Sequence, residues 1–360
     1  MTLAIVVATY AAVAVGRVPR LGRAGAAVAG ALLLVLTGGI GLRAAAAAVD
    51  LPTMALLTTM MAIVAPLQIG GAFTRIVAWL SRRVHHPAAL LVTLVVAAGT
   101  LSAIFLNDTI CIAFTPLVLE LAAIRRHDPL PYLLALATSS NIGSVATIVG
   151  NPQNILIGSV SRIGPIQFTA ALAPVAAAGL AIDALILWLM FRRQLMEHQA
   201  DSKSLSAEAE RPAGMTAGAW LRAIDWRLLL LFAGLFVVVG AVEQAGIDRQ
   251  LFRLLQPLGI GTIAGLSATA AVLSNTISNV PAVMLFTRVV PRLADPRRAW
   301  LALAMASTLA GNFTIVGSIA NLIVVEGASR RGVTVRFGSY FRLGVPVTLA
   351  TLAFGVWWLS

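Results

Sequence analysis

Apolar runs of roughly the length a helix needs to cross a bilayer alternate along this chain with short polar or arginine-rich stretches. Runs at 2–16, 24–42, 45–71, 165–191, 226–245 and 339–360 predict spanning helices. Runs at 131–164 and 299–327 predict spans with a polar interruption. Two stretches, 87–124 and 258–290, are too long for one crossing and carry polar centres, which predicts helical hairpins. The long polar segment is 192–225, which holds the sole lysine, Lys203, and reads as a cytoplasmic linker.

The two sides of that linker resemble each other. An offset of 273 − 106 = 167 places LNDTI at 106–110 over LSNTI at 273–277. In the same register Asp128-Pro129 meets Asp295-Pro296, TIVG at 147–150 meets TIVG at 314–317, and Asn154 meets Asn321. About fifteen of about fifty positions are identical, and the polar matches weigh most because apolar segments resemble one another by chance. Arginine counting orients the halves: loops 17–23, 72–86, 125–130, 192–225 and 328–338 hold sixteen of the 26 basic residues and belong in the cytoplasm. The loop PRLADPRR at 291–298 runs against that count. Each hairpin then enters and leaves from one side, opposite for the two halves. The expected fold is an all-α polytopic membrane protein of two inverted repeats, each with a re-entrant helical hairpin and a discontinuous transmembrane helix. Residues 1–44 form extra N-terminal transmembrane helices. Residues 45–191 form the first repeat (hairpin 87–124, broken helix 131–164), and 226–360 the second (hairpin 258–290, broken helix 299–327).

Backbone that leaves the helix at membrane depth must face protein or a watery cavity. Candidate breaks are the hairpin tips Asn107-Asp108-Thr109 and Ser274-Asn275-Thr276, with Asn279 just beyond. The others interrupt spans, at Thr147 and Gly150-Asn151-Pro152-Gln153-Asn154, and at Thr314 and Gly317-Ser318-Ile319-Ala320-Asn321. Discontinuous elements at matching places in inverted halves point to a transport site near the midplane. A helix starting at a break aims free N–H groups and its positive end at an anion, while freed carbonyls with Ser, Thr and Asn oxygens suit Na⁺. Asp108 is a candidate proton carrier, and alternatively a cap on the hairpin's second arm. Asp183, within LAIDALILW, is the second acidic candidate for proton coupling. Arg75, Glu120, Glu243 and Arg288 read as interfacial, Cys111 as packing, and His85, His86, His127 and His198 as loop residues.

Composition narrows the class. Of 360 residues 59% are hydrophobic and 11% charged, with a mean hydropathy of +0.91, which marks an integral membrane protein. The net charge of +12 sits in clusters between apolar segments and so does not suggest nucleic acid. One cysteine excludes an internal disulfide and a cysteine zinc site. No positive region precedes the first apolar run and Arg17, Arg20 and Arg23 follow it, so it reads as a spanning helix rather than a cleaved signal. No nucleophile–base pair and no phosphate-binding Gly-rich Lys motif occurs, so neither an enzyme nor ATP drive is expected.

These motifs carry a family likeness. NDTICIAFTPLVLEL at 107–121 resembles the first hairpin of arsenite-permease-like proteins. VGNPQNILIG at 149–158 is similar to the Gly-x-Pro-x-Asn break of the ion transporter superfamily, which includes arsenite permeases, citrate and dicarboxylate transporters and certain sodium/proton antiporters. SNT at 274–276 resembles the dicarboxylate branch, and SNVPAVM at 278–284 the arsenite and antiporter branches. The resemblance covers nearly all of residues 45–360 and implies substrate held between hairpin tips and breaks, with elevator-type movement against a scaffold. The first tip reads NDT rather than SNT, and the second break lacks the proline, which favours proton coupling over a matched pair of sodium sites. The expected function is a secondary active transporter of a small anion or oxyanion (arsenite-like or carboxylate) in a bacterial inner membrane, coupled to H⁺ or Na⁺. The alternative is a sodium/proton antiporter using Asp108 and Asp183. The expected partners are substrate and lipid; no cofactor or metal beyond H⁺ or Na⁺ is called for, and a homodimer is left open.

Overall fold

The computed structural model describes residues 1–15, 22–72, 75–76, 84, 86–197, 218 and 224–360. Most of the linker with Lys203 and His198, the basic residues Arg17 and Arg20, and His85 lie outside the described residues. The described regular structure is entirely helical, as the apolar runs predict. Five helices are long and apolar enough to cross a membrane, or up to seven if two bent pairs each count as one.

The N-terminal helices α1 (Thr2–Val15) and α2 (Gly22–Leu36) pack together, and α2 lies on α10 (Trp226–Gln244) of the second half. The span expected at 45–71 is instead two helices, α3 (Leu42–Ala48) and α4 (Leu51–Ile69), bent by 48°. The bend has a local cause. Asp50 Oδ1 accepts from Thr53 N at 2.8 Å, capping a new helix, and Pro52 has no N–H with which to continue the old one.

The first hairpin is α5 (Pro87–Ile104) and α6 (Asn107–Ile124), turning at Phe105-Leu106. Asn107, Asp108 and Thr109 are therefore the first turn of the second arm rather than the tip itself. The second hairpin is more compact: α12 (Ile263–Ile277) meets α13 (Asn279–Phe286) through Ser278 alone, at φ 78°. Ser274, Asn275 and Thr276 remain helical in the last turn of α12, a correction to the expected tip. Before it, α11 (Ile247–Leu255) belongs to a helical segment lying at 114° to α12.

Both broken helices are broken where expected, and more widely. Helix α7 (Leu130–Ser144) ends, a 3₁₀ turn covers Ile148–Gly150, and α8 (Pro152–Ser161) begins. Helix α14 (Pro296–Leu309) is followed by 3₁₀ turns at Ala310–Asn312 and Ile315–Gly317 before α15 (Ile319–Ser329). The backbones superpose in dihedral space: Thr147 has φ −137°, ψ 161° and Thr314 has φ −136°, ψ 161°. Helix α7 is buried from Pro131 to Ser144 and α14 from Ala299 to Leu309, so the half-helices leading into the breaks form the centre of the core. Close approach there needs glycine. A Cβ on Gly143 of α7 would overlap the backbone of Gly99 in α5. The long helices α9 (Pro165–Glu197) and α16 (Phe337–Leu359) close the bundle around α7 and α14.

Candidate functional site

An amide at mid-membrane depth is costly unless both its oxygen and its nitrogen are hydrogen-bonded. Asn141, 1% exposed on α7, meets that demand by joining the elements expected to form the site. Its Oδ1 accepts from Asn107 Nδ2 of the first hairpin at 2.9 Å and from Ser318 Oγ of the second break at 3.0 Å. Its Nδ2 donates to Asn321 Oδ1 at 3.0 Å and to Asn312 Oδ1 at 2.8 Å. Asn312 Nδ2 in turn donates to Thr138 O at 3.1 Å.

The other side of the site is built the same way. Thr308 Oγ1 accepts from Asn151 Nδ2 of the first break and from Gln153 Nε2, both at 3.2 Å. Thr308 occupies the place of Asn141 in the second repeat (308 − 141 = 167), and Asn151 the place of Ser318 (318 − 151 = 167). Each repeat thus lends its half-helix to the other's break, the reciprocal contact a two-fold relation requires.

Each break is also stitched to itself. Asn154 Nδ2 donates to Ser144 O at 3.1 Å and Thr147 O at 2.9 Å; Asn321 Nδ2 donates to Gly311 O at 2.7 Å and Thr314 O at 3.1 Å. The freed carbonyls expected to coordinate a cation are bonded to asparagine amides in this conformation. Likewise Asn154 N is capped by Asn151 Oδ1 at 2.9 Å and Ala320 N by Ser318 Oγ at 3.2 Å, so these N–H groups do not point free into a cavity. Pro152 starts α8, where a missing N–H costs nothing.

The second hairpin docks on its own break. Asn275 Nδ2 donates to Ala310 O at 2.7 Å, its Oδ1 accepts from Thr314 Oγ1 at 3.3 Å, and a Cβ on Gly317 would lie 2.7 Å from that oxygen. With its amide nitrogen turned to them, Asn279 donates to Ser307 O at 3.2 Å and Gly317 O at 3.3 Å. A Cβ on Gly150 would overlap the Ser144 backbone. Thr147 Oγ1 donates to Ala103 O, tying the first break to its hairpin. Ser274 Oγ is buried with no partner among the described residues. Thr276 is exposed and bonds within its own helix, and Thr109 is half-buried, so neither joins the Asn141 network.

Asp108 is half-buried at the start of α6, where its own N–H bonds to Asn107 Oδ1 at 3.0 Å. A cavity of ~360 Å³ opens between α6 and α15, lined by Ile112, Thr115, Ile323, Glu326 and Arg330. Ile112 lies one helical turn beyond Asp108 on α6, and Asp108 itself does not line this cavity. Cys111 is buried, with Sγ 3.1 Å from Ser140 Oγ, a packing position. Arg288 and Glu243 pair at 2.8 Å, each half-exposed.

The family described as citrate transporter, CitMHS, matches residues 10–309. This chain belongs to the CitMHS citrate-transporter family. It is similar to the silicon efflux transporter LSI3 of Oryza sativa subsp. japonica, with 30% identity covering 93% of this chain and 92% of the relative. It is 24% identical to the putative transporter arsB of Dictyostelium discoideum, over 93% and 87% of the two chains. The 46 kDa membrane protein of Mycobacterium leprae is 28% identical over 85% of each. The fold matches that of the Alcanivorax borkumensis YdaH transporter, whose topology is described as unusual, with a TM-score of 0.61 at 14% identity over 99% and 95% of the chains. As a CitMHS member the chain is a multi-pass membrane transporter, and its family agrees with the sequence resemblance.

In this CitMHS chain the residues missed by sequence reasoning are Asn141, Thr308 and Asn312. A signal for the first exists in TSSN at 138–141, a polar run inside an otherwise apolar helix. The 167-residue offset conceals these positions, because Asn141 meets Thr308 and Asn312 meets Val145.

Proposed function

We propose that this protein is a secondary active transporter of a bacterial inner membrane that moves a small oxyacid of the arsenite kind, coupled to protons, by an elevator-type movement. The observation that carries the reading is Asn141 bonding at once to the first hairpin arm and to the second break. A network of neutral amides and hydroxyls, able both to donate and to accept, fits a small polyhydroxy acid. A carboxylate beside it, Asp108, disfavours a multiply charged anion such as citrate, although the family description names citrate. The rice relative is a silicon efflux transporter, which supports a small oxyacid as cargo. Asp108, next to Asn107 at the start of α6, is the coupling carboxyl nearest the site, and Asn107, Asn141, Ser318 and Asn321 are the residues that exchange their mutual bonds for substrate bonds.

Proteoliposome uptake of arsenite, silicic acid and citrate under an imposed pH or Na⁺ gradient tests this. Uptake of arsenite or silicic acid driven by the pH gradient is expected. Movement of citrate alone would remove the neutral-oxyacid assignment, and no driven uptake of any would remove the reading. A sodium/proton antiporter is the second reading, favoured by two carboxyls, Asp108 and Asp183, among helices at membrane depth. Sodium-dependent dequenching of a trapped pH dye, without oxyacid, would select it.

A further inference from the structure

Asp183 lies on α9 and is fully buried. Its Oδ2 accepts from Thr138 Oγ1 at 2.9 Å, and its Oδ1 has no partner among the described residues. A carboxylate ion left so is costly in a dry interior, whereas the neutral acid is not.

The register of α9 on α16 shows which α16 residues lie level with Asp183. Trp358 Nε1 donates to Ala171 O at 2.9 Å, a Cβ on Gly355 would meet Val175 at 3.2 Å, and one on Gly179 would meet Thr351 at 3.5 Å. These pairs step forward along α9 and backward along α16 about one turn at a time, so the helices are antiparallel. The next step puts Asp183 level with Val347 and Thr348, with no hydrogen bond between Asp183 and Thr348 in this conformation. Thr348 Oγ1 is buried and has no partner among the described residues.

The titratable groups around this pocket are few. From α16 comes Tyr340, buried with its hydroxyl unpartnered among the described residues, and Arg342, exposed near the helix start. From α7 the nearest is Tyr132, near that helix's start and 3.2 Å from His127. Helix α5 carries none. On α14 Arg297 and Arg298 stand at its outer end, where Arg298 bonds to Ser360 O. On α9 itself the next charge is Arg192, two and a half turns away. Cys111 of α6 bonds to Ser140.

The chemistry at Thr138 joins this pocket to the site. Its hydroxyl faces Asp183, while its carbonyl accepts from Asn312, whose Oδ1 accepts from Asn141 Nδ2. We propose that Asp183, with the hydroxyls of Thr138 and Thr348, is a second proton-binding site, sealed in this conformation and joined to the substrate site through Thr138 and Asn312. Its role in coupling rests on the transport reading above. As the neutral acid, Asp183 carries its proton on Oδ1 and keeps on Oδ2 the bond donated by Thr138 Oγ1. When α7 parts from α16, water takes that proton, the two threonine hydroxyls turn to donate to the carboxylate, and the movement of α7 carries Asn141 with it.

Two measurements test the site. The first needs no substrate: the melting temperature of purified protein is followed from pH 6 to pH 9. Binding one proton in the folded state makes wild type lose stability as pH rises, by up to tenfold in the unfolding equilibrium per pH unit, and Asp183→Asn removes that part of the slope. The second is arsenite uptake into proteoliposomes with and without a pH gradient; the gradient speeds wild type at least tenfold and leaves Asp183→Asn at one rate. Identical pH slopes for wild type and variant overturn the site. Wild type that moves neither arsenite nor silicic acid removes the transport reading, while the melting slope still decides the site. Should Asp183→Asn not fold, Thr138→Val serves: losing the hydroxyl that donates to Asp183 Oδ2 disfavours the ion and shifts the melting slope to higher pH, and an unshifted slope overturns the proposal.

Discussion

Asn141 Oδ1 accepts from Ser318 Oγ at 3.0 Å, and across the pseudo-two-fold Thr308 Oγ1 accepts from Asn151 Nδ2 at 3.2 Å. The two pairs are the same contact made by different chemistry. An amide in one place serves four partners, whereas a hydroxyl in the other serves two. Asn154 Oδ1 is buried without a partner among the described residues, whereas its counterpart Asn321 Oδ1 accepts from Asn141.

That asymmetry predicts unequal mutational costs. Asn141→Leu leaves Asn107 Nδ2, Ser318 Oγ, Asn312 Oδ1 and Asn321 Oδ1 to find new partners, and costs at least about 4 kcal/mol at about 1–3 kcal/mol per buried orphan. Thr308→Val costs about 1–3 kcal/mol, since Asn151 Nδ2 keeps Ser144 Oγ at 2.9 Å and only Gln153 Nε2 loses its partner. Thermal melts in detergent compare the two, and oxyacid uptake should fall below a tenth only for Asn141→Leu. Equal costs would contradict the central place given to Asn141.

Glycines at the paired breaks separate side-chain from backbone crowding. Gly317→Ala drives a methyl toward Asn275 Oδ1, which can rotate away, so adding Asn275→Ala should recover part of the loss. Gly150→Ala meets the Ser144 backbone, which cannot. A double-mutant cycle on melting temperature reads the coupling for Gly317, and no companion side-chain truncation should rescue Gly150→Ala.

Ser278 joins the arms of the second hairpin at φ 78°, ψ 155°, a region that glycine occupies readily and side-chain-bearing residues avoid. Ser278→Gly should leave transport intact and stabilise by about 1 kcal/mol, whereas Ser278→Val should destabilise by more than that. Melting temperatures of both variants check the sign.

The Arg288–Glu243 pair, each side chain half-exposed, links the end of the second hairpin to α10. Glu243→Gln should cost less than about 1 kcal/mol, with the loss smaller in high salt. Swapping the charges as Glu243→Arg with Arg288→Glu should restore most of it. A cost well above that in the single variant would mean the pair is drier than its exposure indicates.

Breakage of the helices was legible at TIVGNPQN because Asn151 can cap and Pro152 cannot continue a helix, and those are local properties. Its twin was legible from the repeat of TIVG. The turn of the second hairpin was misplaced by a few residues for a matching reason: Asn275 and Thr276 look like turn formers, yet Asn275 finds Ala310 O across the chain and stays helical. The bend at Asp50 was overlooked in a run apolar enough to read as one span.

What the letters alone determined was the class: apolar length dictates membrane-spanning helices, two similar halves dictate a repeat, and polar residues stranded among them mark where the helices stop. Partner choice lay beyond them. Asn141 lies 171 and 180 residues from two of its bonding partners, and an amide's need for neighbours does not name them. Only the packing of α7 between the two breaks brought those groups within hydrogen-bond reach, because the distances that decide a buried network are set by whole helices and not by their sequence neighbours.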